Sequence, residues 1–424
     1  MPAAQMPLGH VVVVWTWIIV ASSWFVMVEP APYDLLLLGL AGLAFAVGLR
    51  VPAELGAVLL LLALFTLANI VSIIVARESI PQPFEVMVFY AAVTAYLLIS
   101  YVLIASLVVA SAGRLINVIW NAWILAAVIA ALLAVLSFFG IIPDAELFIR
   151  NDRAKGAFKD PNVFGPFLVP VILILISRFQ RHAAGQRLLI VLVFPILIMG
   201  LFLSFSRGAW GNFVLSAFVY AVLQVATLKS LRQYVGAAVA VLAIPVVATS
   251  ILLVAQSEPA VQDMLEKRLS ITQSYDLETG GRFWVQRQAL AVALQTPLGV
   301  GPNRTESNFG MNPHNVYIKT VVENGWLGGA VFLITIVLIL AQGMRAATRD
   351  WPFRDSAIVV FSSLVGIAAE SMIIDTLHWR HFFLLLGMMS GLTILMRHHR
   401  QPLRLNAADI RQSVAAQPVE RPRR

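Results

Sequence analysis

Three side chains in this sequence have the chemistry to hold an anion and to accept a proton. Arg207 lies in SFSRGAWGNF, between two apolar runs that are each long enough to cross a bilayer. A guanidinium group cannot lose its proton, and burying it without a partner costs several kcal/mol. Arg207 therefore marks either a membrane boundary or the place where an anionic ligand meets a cation.

Arg282 follows Gly280 and Gly281 and begins the apolar-periodic stretch RFWVQRQALAVALQ. This stretch predicts a helix that ends at Thr296 and Pro297. A helix start offers unpaired N–H groups, glycines let a ligand approach the backbone, and a guanidinium fork fits phosphate oxygens. The pattern favours an anion site, because an arginine in the first turn is otherwise unfavourable next to the helix dipole.

His314 lies in MNPHNVYIKTVVENGWLGG. Asn312 is predicted to cap a helix with Pro313 at its first position, which places His314 and Asn315 in the opening turn. The positive end of a helix disfavours an imidazolium, so we expect His314 to be neutral near pH 7 and able to act as a general base. A histidine that bonds to a neighbouring loop is the alternative interpretation.

The composition requires a membrane to solvate the chain. Of 424 residues, 59% are apolar and only 12% are charged, with a mean hydropathy of +0.84. We therefore expect an all-α, polytopic membrane protein with about 12 transmembrane helices. The predicted helices are 8–28, 33–49, 52–75, 84–108, 115–142, 161–177, 187–205, 209–228, 235–255, 325–341, 356–374 and 380–396.

The distribution of Lys and Arg predicts the orientation. With the N-terminus in the cytoplasm, the cytoplasmic side carries seventeen of the thirty, the opposite short loops seven and the long segment six. Both termini are then cytoplasmic. The predicted organisation is 1–255 with about nine helices, 256–324 as a large, partly helical periplasmic loop, 325–396 with about three helices, and 397–424 as a basic tail. The net charge of +8 fits contact with anionic membrane lipids, and nothing indicates nucleic-acid binding.

Two further segments follow from this layout. Within the long loop, SEPAVQDMLEKRLS predicts an amphipathic helix with Val261, Met264, Leu265 and Leu269 on one face, and PLGVGPN predicts a turn. The segment RNDRAKGAFKDPNVFG concentrates four cations on the outer side: Arg150, Arg153, Lys155 and Lys159. They form either a binding surface or a solvated loop that Asp152 and Asp160 partly neutralise.

Several of these elements resemble one family. SRG at 206–208, GGRFW at 280–284, PLGVG at 297–301, PHNVY at 313–317 and the later ENGWLGG resemble, in this order, the signature of the O-antigen ligase and polymerase superfamily, the Wzy-C type of membrane glycosyltransferase. The resemblance covers roughly 150–340 in its motifs and the whole chain in its architecture.

The resemblance implies a reaction at the periplasmic face of the bacterial inner membrane. A glycan carried on undecaprenyl diphosphate would pass to a hydroxyl of lipid A core in a ligase, or to another lipid-linked glycan in a polymerase. Arg207 and Arg282 would bind the diphosphate, His314 would activate the acceptor, and no metal or other cofactor would be needed. Outside the family motifs, Lys155 and Lys159 are candidate contacts for the diphosphate or an acidic glycan, and Asn315 is a further candidate substrate contact. Trp284 could stack on a sugar, but an interfacial anchor is the favoured interpretation of it. We expect a ligase, with polymerase of O-antigen or exopolysaccharide repeats as the alternative.

Other classes fit less well. A metal-dependent oligosaccharyltransferase would need paired outer acids, and the first outer loop offers only Glu29 and Asp34. A lipid-linked glycan transporter would show two related halves, whereas the acids Glu370 and Asp375 cluster near one edge. The segment HWRH at 378–381 is the one plausible metal cluster, and an interfacial anchor is the favoured interpretation of it.

Overall fold

The computed structural model describes residues 9–76, 84–179, 184–226, 261–262, 264–265, 281–310 and 312–399. These residues are almost entirely helical. The α-helices are α1 His10–Ala21, α2 Pro32–Ala46, α3 Gly56–Ala76, α4 Phe84–Ala110, α5 Arg114–Phe138, α6 Pro161–Phe179, α7 Ala184–Leu203, α8 Arg207–Val225, α9 Arg282–Gln295, α10 Arg304–Phe309, α11 Val316–Thr348, α12 Arg354–Glu370 and α13 Arg380–His399. Single 3-10 turns cover Ser22–Trp24, Ala53–Leu55 and Ala145–Phe148.

A small hairpin lies between α5 and α6. Strand β1, Ile149–Arg150, pairs antiparallel with β2, Arg153–Ala154. Asn151 and Asp152 form its tip with positive φ angles of 51° and 58°, a conformation that these two residue types tolerate well. The predicted cationic loop is thus a folded structure.

The prediction of an all-α membrane protein is confirmed. Eight helices among the described residues are long and apolar enough to cross a bilayer. Every predicted range contains a helix except 235–255, which lies outside the described residues. The number of about twelve spans, the domain boundaries and the orientation stay predictions. Of the predicted amphipathic helix, 261–262 and 264–265 are described, and Val261, Met264 and Leu265 are buried as its pattern requires.

Helix α13, the last one described, lies inside the bundle and packs along α4. In the spanning window of α13, 83% of the residues are buried. Gly387 and Gly391 permit this packing, because an added Cβ would lie 2.9 Å from Ile104 and 2.6 Å from Val108. Small residues allow close helix contact in membranes, where lipid chains already solvate apolar side chains.

Helix α11 is interrupted where the predicted turn meets it. Gly325 has φ 72° and ψ 179°, which breaks the helical ladder and leaves backbone groups of its first segment unpaired. The turn at 297–301 satisfies them: Val300 N–H donates to Val322 O at 2.9 Å, Gly301 N–H to Glu323 O at 3.0 Å, and Trp326 N–H to Pro297 O at 3.0 Å. The prediction of a turn at PLGVG is confirmed, and its partner is the break at Gly325.

Candidate active site

Arg207 is the first residue of α8. Ser206 caps this helix, and its hydroxyl oxygen accepts the Ala209 N–H at 3.2 Å. Phe205 turns the chain into the cap with φ 43°. Arg207 is partly buried. The arginine therefore lies at the positive end of a membrane helix, which favours a bound anion.

Arg282 has the same position in α9. The helix begins at Arg282 after the N-cap Gly281, and it ends at Gln295 before Thr296, as predicted. One turn later Gln286 Nε2 donates to the carbonyl of Pro313 at 3.0 Å. This bond joins the start of α9 to the loop that carries His314.

The predicted cap of the helix after His314 is wrong. Asn315, not Asn312, is the N-cap of α11, and its side-chain oxygen accepts the Ile318 N–H at 3.1 Å. Asn312 accepts a bond from Thr305 Oγ1 at 3.0 Å instead. His314 therefore lies in the loop before the helix, with φ 48°. Both asparagines fit a cap by residue type, and the packing of the loop decides between them.

The surroundings of the His314 imidazole disfavour its protonated form. Burial lowers its pKa below the usual 6.5, and the nearby Arg282 charge lowers it further. Asp375 and Asp160 act in the opposite direction, and Lys319 acts with Arg282. The predicted neutral state near pH 7 is consistent with this balance, although its cause is burial and a neighbouring guanidinium rather than a place in the opening turn.

The end of α12 joins the start of α8 to the start of α11. Gly208 packs so closely on Glu370 that an added Cβ would lie 2.9 Å from the carboxylate oxygen Oε1. On the next residue, the Ser371 carbonyl accepts the Val316 N–H at 2.9 Å. Three helix starts and one helix end thus meet at one end of the bundle.

The four cations of the hairpin segment have separate partners. Lys155 Nζ donates to the carbonyls of Leu147 and Phe158 at 2.6 and 3.0 Å, so it braces its own loop. Lys159 pairs with Glu29 at 2.7 Å. Two further bonds complete the set: Arg150 with Asp160 at 3.3 Å, and Arg153 with the Ser204 carbonyl at 2.9 Å. The loop is neither freely solvated nor a uniform cationic surface.

The remaining candidates differ in accessibility. Trp284, in the first turn of α9, is exposed and open to a ligand or to lipid. The side-chain oxygen of Asn315 accepts the Ile318 N–H as the cap of α11.

The HWRH segment at 378–381 is the candidate metal cluster. His378 bonds Thr94 Oγ1 at 3.2 Å, and His381 stacks on Trp379 at 5.2 Å between ring centroids. Among the described residues, no group of three or more His, Asp or Glu side chains is placed to hold a metal ion.

A buried ion pair next to this site was not expected from the sequence. Lys319 Nζ contacts Asp375 Oδ2 at 2.5 Å, and only 2% of the lysine side chain is exposed. Burial alone would raise the pKa of Asp375, but the Lys319 and His378 charges and the hydrogen bonds from Lys319 and the Leu377 N–H together lower the pKa to about 2. The available signal was a lysine within an apolar helix, which usually marks function or a specific partner.

Two arginines at helix starts and a histidine with a lowered pKa have the chemistry to bind an anion and to accept a proton. A comparison with known families provides separate evidence on function. Residues 189–333 match a family model described as O-Antigen ligase. This match confirms the resemblance to the O-antigen ligase and polymerase superfamily. The matched segment contains Arg207, Arg282 and His314. A comparison with curated proteins found no significant match. The match covers about a third of the chain and supports a ligase- or polymerase-type activity, and the apolar helices indicate a multi-pass membrane protein.

Proposed function

We propose that this protein transfers a glycan from undecaprenyl diphosphate to an acceptor hydroxyl at the periplasmic face of the inner membrane, most simply to lipid A core. The proposal is supported by the proximity of Arg282 to His314 and by the packing that joins the helix start of Arg207 to the helix that follows His314. Arg282 is close enough to His314 to lower its pKa, and the α8 start bearing Arg207 contacts the α12 end that bonds the α11 start.

In the proposed reaction, the bond between the anomeric carbon of the glycan and the diphosphate breaks. Its electron pair leaves on the phosphate oxygen, where Arg207 and Arg282 stabilise the developing charge. The acceptor oxygen attacks the opposite face of the anomeric carbon, so the configuration inverts. The hydroxyl proton passes to the neutral imidazole of His314. The two guanidinium groups supply the positive charge, and no metal step is required.

The remaining candidates receive different roles. Lys159 and exposed Trp284 are proposed to contact the glycan, while Lys155 and Asn315 act on substrate through the backbone that their bonds brace. Lys155 holds two carbonyls of its loop, and Asn315 holds the helix start directly after His314.

Purified protein with lipid-linked donor and acceptor tests the chemistry. Replacing His314 with Ala should reduce the transfer rate by about 10²- to 10⁴-fold with donor affinity retained, as expected for a lost general base. Arg282→Ala should weaken both the rate and donor binding. Arg287→Ala is the matched control on the same helix, because Arg287 is exposed. Full transfer by the His314 variant, or equal losses in both arginine variants, would remove these roles.

Deleting the gene separates ligase from polymerase. Loss of all long glycan from lipopolysaccharide, with lipid-linked chains accumulating, would identify a ligase. Lipopolysaccharide capped with a single repeat would identify an O-antigen polymerase. Normal lipopolysaccharide with a missing exopolysaccharide would identify a polymerase of secreted polymer.

A further inference from the structure

A cavity of about 190 Å³ lies beside the candidate active site. Polar side chains from three parts of the chain line it, Glu29, Lys159 and Arg380, together with aromatic rings including Phe158, Phe167 and Trp379. Its volume is more than ten times the 10–15 Å³ that one water requires. A mostly apolar and aromatic wall with a few convergent polar groups is typical of a small-ligand site.

The cavity is close to the proposed base. Asp375 lines it, and Asp160 is the chain neighbour of the lining residue Lys159. Both carboxylates are near enough to His314 to raise the pKa of its imidazole. Asp375 also pairs with Lys319 in the first segment of α11, the helix that begins two residues after His314, so a ligand in the cavity would lie near the loop of His314. Arg282 is not among the residues that line the cavity.

The charges around the cavity are balanced. Lys159 pairs with Glu29 at 2.7 Å, Lys319 with Asp375 at 2.5 Å, and Arg380 with Asp34 through two bonds of 2.6 Å. An anionic ligand would have to separate one of these pairs and leave a desolvated carboxylate, which is costly. A neutral ligand meets no such penalty.

Hydrogen-bonding capacity is left over after this pairing. The Lys159 ammonium has three N–H groups and uses one on Glu29, and Arg380 engages Asp34 through Nε and Nη2 only, as far as the described residues show. Sugar hydroxyls both donate and accept, so they can use the spare N–H groups and the carboxylate oxygens of Glu29 together. The aromatic walls suit the apolar faces of a sugar ring.

We infer that this cavity binds an uncharged sugar ring of a saccharide substrate, while the diphosphate stays with the two helix-start arginines. The ring belongs either to the acceptor or to the donor glycan, and its role as a substrate subsite rests on the proposed function.

Filling the cavity tests this inference in the transfer assay. Val163 lines it from the first turn of α6, so Val163→Phe should raise the KM of one saccharide substrate by about tenfold or more, with kcat nearly unchanged. A higher KM for the acceptor would assign the sugar ring to the acceptor, and a higher KM for the donor would assign it to the donor glycan. Val14→Phe makes the same exchange in the wall of a separate cavity between α1 and α2 and should leave both KM values unchanged. Thermal unfolding checks that both variants are folded.

A binding measurement keeps the inference independent of activity. Saturation-transfer NMR with methyl glycosides of neutral hexoses should give a signal with the wild type and Val14→Phe that Val163→Phe abolishes. If wild type shows this pattern but transfers no glycan, the cavity assignment stands and the proposed function fails. A folded Val163→Phe protein with an unchanged sugar signal and unchanged KM values would overturn the inference. Displacement of the sugar by inorganic pyrophosphate in the Arg282→Ala variant would also overturn it, because it would show that the cavity itself binds the diphosphate.

Discussion

At the scale of single residues, the His314 side chain depends on its neighbours for its reactivity. Burial and the Arg282 charge lower its pKa, whereas Asp375 raises it. The same guanidinium that is proposed to hold the diphosphate thus keeps the imidazole free of a proton. Diphosphate bound to Arg282 would offset this positive charge and make His314 more basic in the loaded site.

These opposing influences predict the pH dependence. The pKa of His314 lies below 6.5, so the wild-type rate should fall only as the pH drops below that value and the base becomes protonated. Arg282→Gln removes a positive charge and should raise the His314 pKa. The acid limb of the rate profile, meaning the pH range in which the remaining transfer rate falls, should therefore move to higher pH. Asp375→Asn removes a carboxylate and leaves the Lys319 charge unopposed, so the limb should move to lower pH.

Rate profiles from pH 4.5 to 8 with purified protein would measure both shifts. Arg287→Gln is the control, since Arg287 is exposed on the outer side of α9. Acid limbs that coincide in all variants would show that another group titrates.

The sequence predicts these residues better than their surroundings. Arg207 and Arg282 stand out because an arginine in the first turn of a helix is unfavourable next to the helix dipole unless an anion is present. The N-cap of α11 is harder to predict, because Asn312 and Asn315 both have a residue type that is favoured at an N-cap. Asn315 caps α11 because the Asn312 side chain already bonds the Thr305 and Glu306 side chains. Such contacts cannot be predicted from the residues next to the helix start.

At the scale of elements, the break in α11 fixes the first segment of this helix relative to the turn at 297–301. Gly325 and Gly299 face each other so closely that a Cβ at Gly325 would lie 2.4 Å from the Pro297 carbonyl oxygen, and one at Gly299 would lie 2.5 Å from that of Glu323. The turn follows α9, and the first segment of α11 follows His314. The two glycines therefore set the distance between the helix of Arg282 and the loop of His314.

This contact predicts that Gly325→Ala is strongly damaging. The residue has φ 72°, and the added methyl group would collide with backbone rather than with a movable side chain. We expect the loss of several °C in thermal midpoint, or a loss of transfer activity well beyond any loss of donor binding. Gly42→Ala in α2 is the control, because nothing lies within 4 Å of its added Cβ. Equal stability and activity of both variants would show that the turn tolerates displacement.

Hydropathy predicts the helices reliably because a span needs about twenty apolar residues whatever it packs against. It does not predict that α11 continues from Val316 to Thr348 across a break. The predicted range 325–341 finds only its apolar second segment. The first segment contains the buried polar residues Lys319 and Glu323, whose ion-pair and hydrogen-bond partners come from elsewhere in the chain.

At the scale of the whole molecule, a partly buried ion pair joins α2 to α13, the first and last parts of the described chain. Arg380 at the start of α13 makes two bonds of 2.6 Å to the carboxylate of Asp34 in α2, and Glu29 lies 3.8 Å from the same guanidinium. The two acids that could have suggested a metal site in the first outer loop thus both face an arginine. Hydropathy places these residues near a membrane boundary, but their pairing arises only from the folded packing.

Breaking this pair should destabilise the protein. Asp34→Asn leaves the Arg380 charge partly buried without its carboxylate, and we expect a loss of about 3 kcal/mol in unfolding free energy. The double variant Asp34→Asn, Arg380→Gln should lose less than the sum of the two single changes. Asp350→Asn, at a pair whose carboxylate is 70% exposed, should cost less than about 1 kcal/mol. Reversible unfolding in detergent measures all four proteins, and strict additivity would contradict the pairing.

The place of α13 in the bundle also orders the events of biosynthesis. When α1 to α11 have been synthesised, the chain already contains Asp34, Lys159 and the three proposed reacting side chains. The part of the cavity wall that Trp379 and Arg380 supply is still missing at that stage. The cavity that is proposed to hold the sugar therefore stays incomplete until α13 enters the membrane. If the proposal is correct, glycan transfer should begin only after α13 has packed into the bundle.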